Sequence, residues 1–412
     1  MGRGKTTGTA KAATATKKAA KQPAAAPVGL SSALVLNHYI LRLFGVEELE
    51  ALSKELKDSH LEGYDADNVS HYFHELKRWL PLGGELTEDR LKQYDANIYR
   101  HTHAISQQRP VKWKYFQYLA LLFTEIYLDE YFSNPAGLLD ELNKHRQTAP
   151  TRRRNFTGLT PYTREGLNKL AYWNATGSGK TLLMHINILQ YQHYLTRQRK
   201  GKELNRILVL TPNEGLSKQH LREFEESGLK ATIFDKNAPP LFQGTGIEII
   251  DLHKLEETSG PGTVAIEAFE GNNLVLVDEA HRGGQDSKKI RPMRNRLTQG
   301  GFSFEYSATF GQSVNAQQGT NRAKFLDEYG KATLFDYSYR YFYDDGYGKD
   351  YQILNLDEKW NRANVEMYLT ALLLSFYEQL LVFEENGSII DPYLVARPLA
   401  VFVGGKVAAA LP

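Results

Sequence analysis

The chain has no cysteine among its 412 residues. Disulfide frameworks, thiolate zinc sites and cysteine nucleophiles are therefore excluded, and a reducing compartment, the cytoplasm, is the expected setting. No run of eighteen uninterrupted apolar residues occurs, so no membrane-spanning helix is expected, and the N-terminus lacks the apolar segment of a secretory signal. Net charge is nearly absent: 50 Lys and Arg oppose 48 Asp and Glu, leaving +2. No global basic field marks a nucleic-acid partner, and no zinc finger or major-groove reading module is visible, so any such contact has to be local and sequence-independent. What remains is an ordinary globular composition, 42% hydrophobic and 24% charged, over a length that accommodates two or three domains.

Composition changes along the chain set the expected divisions. Residues 1–27 carry six Lys or Arg and no acid, and are rich in Ala, Thr and Pro. They bury too little apolar surface to offset their ordering entropy, so a disordered basic tail is expected, either touching phosphates or simply solubilising the chain. Residues 28–150 read as a helical N-terminal domain. The clearest helix is Tyr115 to Phe132, where Phe116, Leu119, Ala120, Phe123, Tyr127 and Leu128 recur at three and four and are expected on one face. Residues 151–312 read as an α/β domain: short apolar runs at 170–173, 207–210, 231–234, 247–250, 274–277 and 302–306 alternate with helical stretches, the pattern of a parallel sheet covered on both faces. Residues 313–396 read as a Tyr-rich insertion followed by a connector helix from Trp360 to Glu385, and 397–412 as a final short segment.

Two stretches carry chemistry. The first is Ala175-Thr176-Gly177-Ser178-Gly179-Lys180-Thr181, which follows one apolar run and opens a helix. Gly177 and Gly179 let the backbone turn its N–H groups toward phosphate oxygens. The helix N-terminus favours an anion, Lys180 reaches the β- and γ-phosphates, and the Thr181 hydroxyl is placed for Mg²⁺. The second is Asp278-Glu279-Ala280-His281, directly after the strand Asn273–Val277. A buried strand ending in two acids delivers carboxylates to the sheet edge where α/β folds bind ligands. Asp278 is expected to hold Mg²⁺ and Glu279 to orient and deprotonate the attacking water, with Lys180 neutralising phosphate charge.

Together these stretches resemble the superfamily 2 helicases with a DEAH box, so the expected fold is a RecA-like P-loop NTPase domain preceded by an all-helical domain. The resemblance implies ATP and Mg²⁺ as cofactors, with His281 completing the catalytic set. It implies that Ser307-Ala308-Thr309 couples hydrolysis to domain motion. It also implies that Thr211, Pro212, Asn213 and Gln219, after Leu208-Val209-Leu210, meet the phosphate chain of a nucleic acid. Gln117 is the candidate reader of adenine, and Tyr162 and Trp173 are candidate stacking partners. Leu170–Trp173, Asn272–Gly283 and Phe335–Leu356 resemble the restriction subunits of type III systems. That likeness implies DNA as the partner, a separately encoded methyltransferase subunit or second motor domain, and a place in prokaryotic defence. Arg397-Pro398-Leu399-Ala400-Val401-Phe402-Val403 resembles the first strand of a second RecA-like domain, most of which is not seen here. No Gln-xx-Gly-Arg-xx-Arg segment follows Thr309; Arg322 and Arg340 are the substitutes at hand. The competing expectation is a nucleotide-binding scaffold or remnant that hydrolyses ATP weakly.

Overall fold

The computed structural model describes residues 28–151, 153–235, 246–256, 264–265, 269, 271–280, 287–348, 362–390 and 396–401. The expected basic tail at 1–27, and His281 with Arg282, lie outside them. The chain divides into two compact units, Met1–Gly348 and Lys349–Pro412.

In the first unit, six helices come before any strand of the sheet: α1 (Val35–Leu43), α2 (Leu49–Leu56), α3 (His71–Leu76), α4 (Glu88–Ile105), α5 (Tyr115–Ser133) and α6 (Pro135–Thr148). Then strand and helix alternate: β1 (Lys169–Asn174), α7 (Lys180–Arg197), β2 (Ile207–Thr211), α8 (Glu214–Glu226), β3 (Ala231–Ile233) and β4 (Ile247–Asp251). After a two-stranded parallel pair, β5 (Leu255–Glu256) with β6 (Val264–Ala265), come β7 (Leu274–Val277), α9 (Ser287–Leu297), β8 (Phe302–Ser307), α10 (Phe310–Ala316), α11 (Gly319–Ala332), β9 (Thr333–Tyr337) and α12 (Tyr339–Asp344).

Seven strands pair in parallel in the order β3-β4-β2-β7-β8-β1-β9. Parallel sheets need cover on both faces, and the near-continuous apolar strands show it: every residue of β2, β7 and β8 is buried. The register sets Trp173 beside Ser307, Val277 beside Glu305, and Leu210 beside Val277. The loops that follow β1, β2, β7 and β8 therefore emerge side by side along one edge.

Two features differ from the expectation. Helix α5 is not one-sided: besides the six expected residues, it buries Tyr118, Leu121, Leu122, Thr124, Glu125 and Ile126. It packs against α4, α6, α7 and β9 at once, so it is a central helix whose whole circumference is apolar. The seventh strand, β9, comes from the Tyr-rich segment and pairs with β1. The helices before residue 150 thus lie on the sheet and share one hydrophobic core with it.

The second unit contains α13 (Arg362–Glu385) and α14 (Gly387–Ile390). Among the described residues, Val365–Glu385 is the single helix long and apolar enough to cross a membrane by length and composition, with Glu366, Glu378, Glu384 and Glu385 along it. The sequence count missed it because these acids interrupt the apolar run. Of the strand expected at 397–403, the described part, 397–401, is not in a strand.

Candidate nucleotide-binding and hydrolysis site

β1 ends at Asn174, and α7 starts at Lys180 after five intervening residues. Gly177 and Gly179 have φ of +85° and +87°, a left-handed backbone that glycine adopts without the Cβ penalty. Gly179 is the N-cap of α7 and supplies no side-chain cap, so the helix terminus is left for an outside acceptor. A Cβ on Gly179 would come within 2.3 Å of Gln117 Nε2, and one on Gly177 within 3.6 Å of the Phe342 ring. Ala175 N donates to Tyr337 O at 2.9 Å, tying the loop to β9. Thr176 is exposed and Thr181 half-buried on the first turn of α7. Ser178 Oγ, both amide atoms of Asn174 and Thr309 Oγ1 are buried without a protein partner. Buried polar groups are normally satisfied, so four unpaired atoms near the strand ends fit a polar ligand such as a triphosphate.

Lys180 Nζ stands 3.5 Å from Asn174 O and 3.9 Å from Glu279 Oε1. The phosphate loop and the acidic turn, 98 residues apart in sequence, are thus brought together. Asp278 N donates to Leu210 O and Ala280 N to Tyr306 O, both at 3.0 Å, which stitches the acidic turn between β2 and β8. Glu279 has φ of +50°, a costly conformation for a residue with a Cβ and one that recurs at functional sites. Burial pushes the Asp278 carboxyl upward, but its hydrogen bond to His220, the His220 and Lys180 charges and the Glu279 N–H outweigh that and hold it below the usual range. Asp278 is thus kept as a carboxylate, the form a divalent cation requires.

Behind the turn lies a buried charge cluster that the sequence reading did not single out. Arg294 donates to Ala280 O at 3.0 Å and pairs with Glu305 at 2.6 Å. Glu305 also meets Lys169 at 3.0 Å and Tyr329 OH at 3.0 Å. Burial alone would raise the Glu305 carboxyl, yet Arg294 and Lys169 pull it down to about 2. The signal was present: a glutamate inside the apolar strand Phe302–Ser307 requires a buried cation.

Residues 138–312 match the model of the family described as type III restriction enzyme, res subunit. No match is found among proteins of curated function. Similar solved structures include T4 UvsW (17% identity, TM-score 0.29, 42% of this chain and 32% of that one). The Sulfolobus solfataricus SWI2/SNF2 ATPase core in complex with dsDNA is 11% identical (TM-score 0.28, 49% and 43%). Dbp5 of S. cerevisiae, bound to RNA and ADP BeF3, is 15% identical (TM-score 0.30, 58% and 49%). The chain spans less than half the length of each.

Within the matched stretch, Ser307-Ala308-Thr309 turns out of β8 with Thr309 N donating to Ser307 Oγ at 3.0 Å, and Ala308 O accepts from Trp173 Nε1 at 3.1 Å. Several expected roles meet a different geometry. The Gln117 amide is already engaged, Nε2 donating to Ser178 O at 2.9 Å and Oε1 accepting from Lys114 N at 3.0 Å; it braces the phosphate loop instead of facing a base. Tyr162 is buried with its OH on Lys331 O, and Trp173 is packed so tightly on Gly311 that a Cβ there would come within 2.6 Å of its ring. Thr211 is fully buried, its hydroxyl 2.7 Å from Ser217 Oγ, and Pro212 is buried beside it. Neither side chain faces solvent, because the strand continues inward up to Thr211. Asn213 Oδ1 accepts from Leu216 N at 2.9 Å, capping α8, and Gln219 is exposed. Arg322 donates to Val28 O at 2.6 Å and Arg340 is paired with Glu50 on α2, so both substitute arginines are tied to the N-terminal region.

Proposed function

We propose that this chain is the ATP-binding motor core of a helicase or translocase that acts on DNA in a prokaryotic restriction or phage-defence system in the cytoplasm. The observation that carries the reading is the approach of Lys180 Nζ to Glu279 Oε1 at 3.9 Å, beside an α7 N-terminus that has no cap of its own. Two signs of charge, set around one uncapped helix terminus, are what phosphoryl transfer to water requires. Bound Mg²⁺ would neutralise the phosphate oxygens, and Thr181 and Asp278 are the residues to hold it. Lys180 binds the β- and γ-phosphates, Gly177 to Gly179 present backbone N–H groups, and Glu279 orients a water and takes its proton. Ser307 to Thr309 pass the state of the site to the rest of the motor. Asn213, the N-cap of α8, and Gln219 on that helix are both exposed and meet the phosphate backbone of the strand, which positions it without reading sequence.

Full turnover needs positive charge on the γ-phosphate from a second motor domain or a further subunit, worth about 10³–10⁵ in rate. The test is ATP turnover by the chain with and without single- and double-stranded DNA, beside Lys180→Ala and Glu279→Gln. Stimulation by DNA that disappears in both variants is expected. Stimulated turnover persisting in both would remove these residues from their roles. Mg²⁺-ATP binding without turnover in the wild type would instead favour the scaffold reading.

A further inference from the structure

Asp278 is gripped at both oxygens. Oδ1 accepts from the N–H of Glu279 at 2.9 Å. Oδ2 lies 3.0 Å from Nε2 of His220, a side chain only 3% exposed. The first contact comes from the acidic turn itself, but the second comes from α8, the helix after the neighbouring strand. On that helix Gln219 is exposed and His220, the next residue, points into the protein. The imidazole is backed by Phe224, whose ring centroid is 6.4 Å away and which stacks on His185 at 4.1 Å. His185 is in turn on α7, the helix of the phosphate loop. His220 thus stands between the solvent-facing side of α8 and the carboxylate expected to hold Mg²⁺.

We propose that His220 is a positioning residue: it fixes the rotation of the Asp278 carboxylate and ties that rotation to the placement of α8, so that a strand bound along α8 aligns the metal-holding acid. The inference rests on the proposed function for the identity of the strand and of the metal, but the contact itself is independent of both. Carboxylates that hold metals are commonly oriented by a hydrogen bond from behind, and removing that partner costs about 10–100-fold in metal affinity or activity. Backbone alone leaves the Asp278 side chain free to rotate about two bonds, and the Glu279 N–H fixes one oxygen only.

The experiment uses the full chain as wild type, His220→Ala and His220→Gln. Calorimetry gives ATP affinity with and without Mg²⁺, steady-state turnover gives the Mg²⁺ and DNA dependence, and a thermal melt accompanies each protein. The expected result for His220→Ala is unchanged ATP affinity without Mg²⁺, since the phosphate loop is untouched. Alongside it, the Mg²⁺ needed for half-maximal ATP binding and turnover rises at least about tenfold, and stimulation by DNA is largely lost. His220→Gln keeps an N–H donor and recovers at least half of both effects. The proposal is overturned if His220→Ala keeps the wild-type Mg²⁺ dependence and DNA stimulation. It is equally overturned if His220→Gln, folded as judged by its melt, is as impaired as His220→Ala, because then the ring serves only to pack. If the wild type shows no turnover under any condition, the proposed motor function fails by itself. The Mg²⁺ dependence of ATP binding then still decides whether His220 positions Asp278.

Discussion

The loops after β1 and β2 are built on the same plan and put to opposite use. Each leaves a buried parallel strand at the same sheet edge and starts a helix within a few residues. After β1, Gly179 caps α7 with backbone only, and the terminus stays available to an outside anion. After β2, Asn213 caps α8 with its own side chain, and Thr211 and Pro212 turn inward. A helix terminus is a general anion site, so what separates the two is whether the chain has already filled it. Gly-rich sequence signals an open terminus, and an Asn before the helix signals a closed one.

The sharpest way to break this contrast is to close the open end. In Gly179→Ala the new Cβ displaces Gln117 Nε2 from Ser178 O and is held at positive φ. A loss of about 2 kcal/mol, roughly thirtyfold in ATP affinity, is expected by calorimetry. Adding Gln117→Ala to it should cost little more, since the same hydrogen bond is already gone; full additivity would mean Gln117 does not act through the loop.

The body of α7 offers the next test. Glu125 on α5 is fully buried, accepting from Tyr194 OH on α7 at 2.7 Å and Asn97 Nδ2 on α4 at 2.8 Å. Burial, only partly offset by these bonds, pushes its carboxyl up to about 7. A raised folded-state value means the group contributes fully below its unfolded value near 4.5 and loses that contribution as pH rises through 7. Glu125→Gln should therefore gain stability relative to wild type between pH 5 and pH 8, on the order of 2 kcal/mol. Parallel melting temperatures across that range would contradict it.

Opening the closed end is the milder perturbation. Asn213→Ala removes the α8 cap and should cost about 1 kcal/mol in denaturant unfolding, with ATP affinity unchanged. The smallest effects fall on the strand contact: Gln219→Ala should weaken DNA binding about twofold, in a salt-dependent way, while Thr211→Val leaves it untouched. A DNA effect from Thr211→Val would reverse the contrast drawn above.

Much of this is legible in the sequence. The strands at 170–173, 207–210, 274–277 and 302–306 announce themselves by apolar runs, and the two chemical stretches by residue types that few other structures need. What stayed hidden depended on non-local pairing. Nothing in Thr333–Tyr337, within the Tyr-rich segment, tells that it pairs with a strand some 160 residues earlier. His220 looks like an ordinary helix residue until α8 reaches Asp278, and Gln117 like a base reader until α5 carries it to Ser178. The inward turn of Thr211 was missed for a simpler reason: a threonine closing a strand is equally at home facing solvent or core.

The left-handed backbone of Glu279 has a consequence for how this chain would drift. Only glycine, or at some cost asparagine, is comfortable at φ of +50°. A population of variants selected for heat resistance alone would be expected to replace Glu279 early, gaining roughly 1 kcal/mol. The same step would discard the side chain proposed to activate water, so robustness and turnover would pull in opposite directions at this one position.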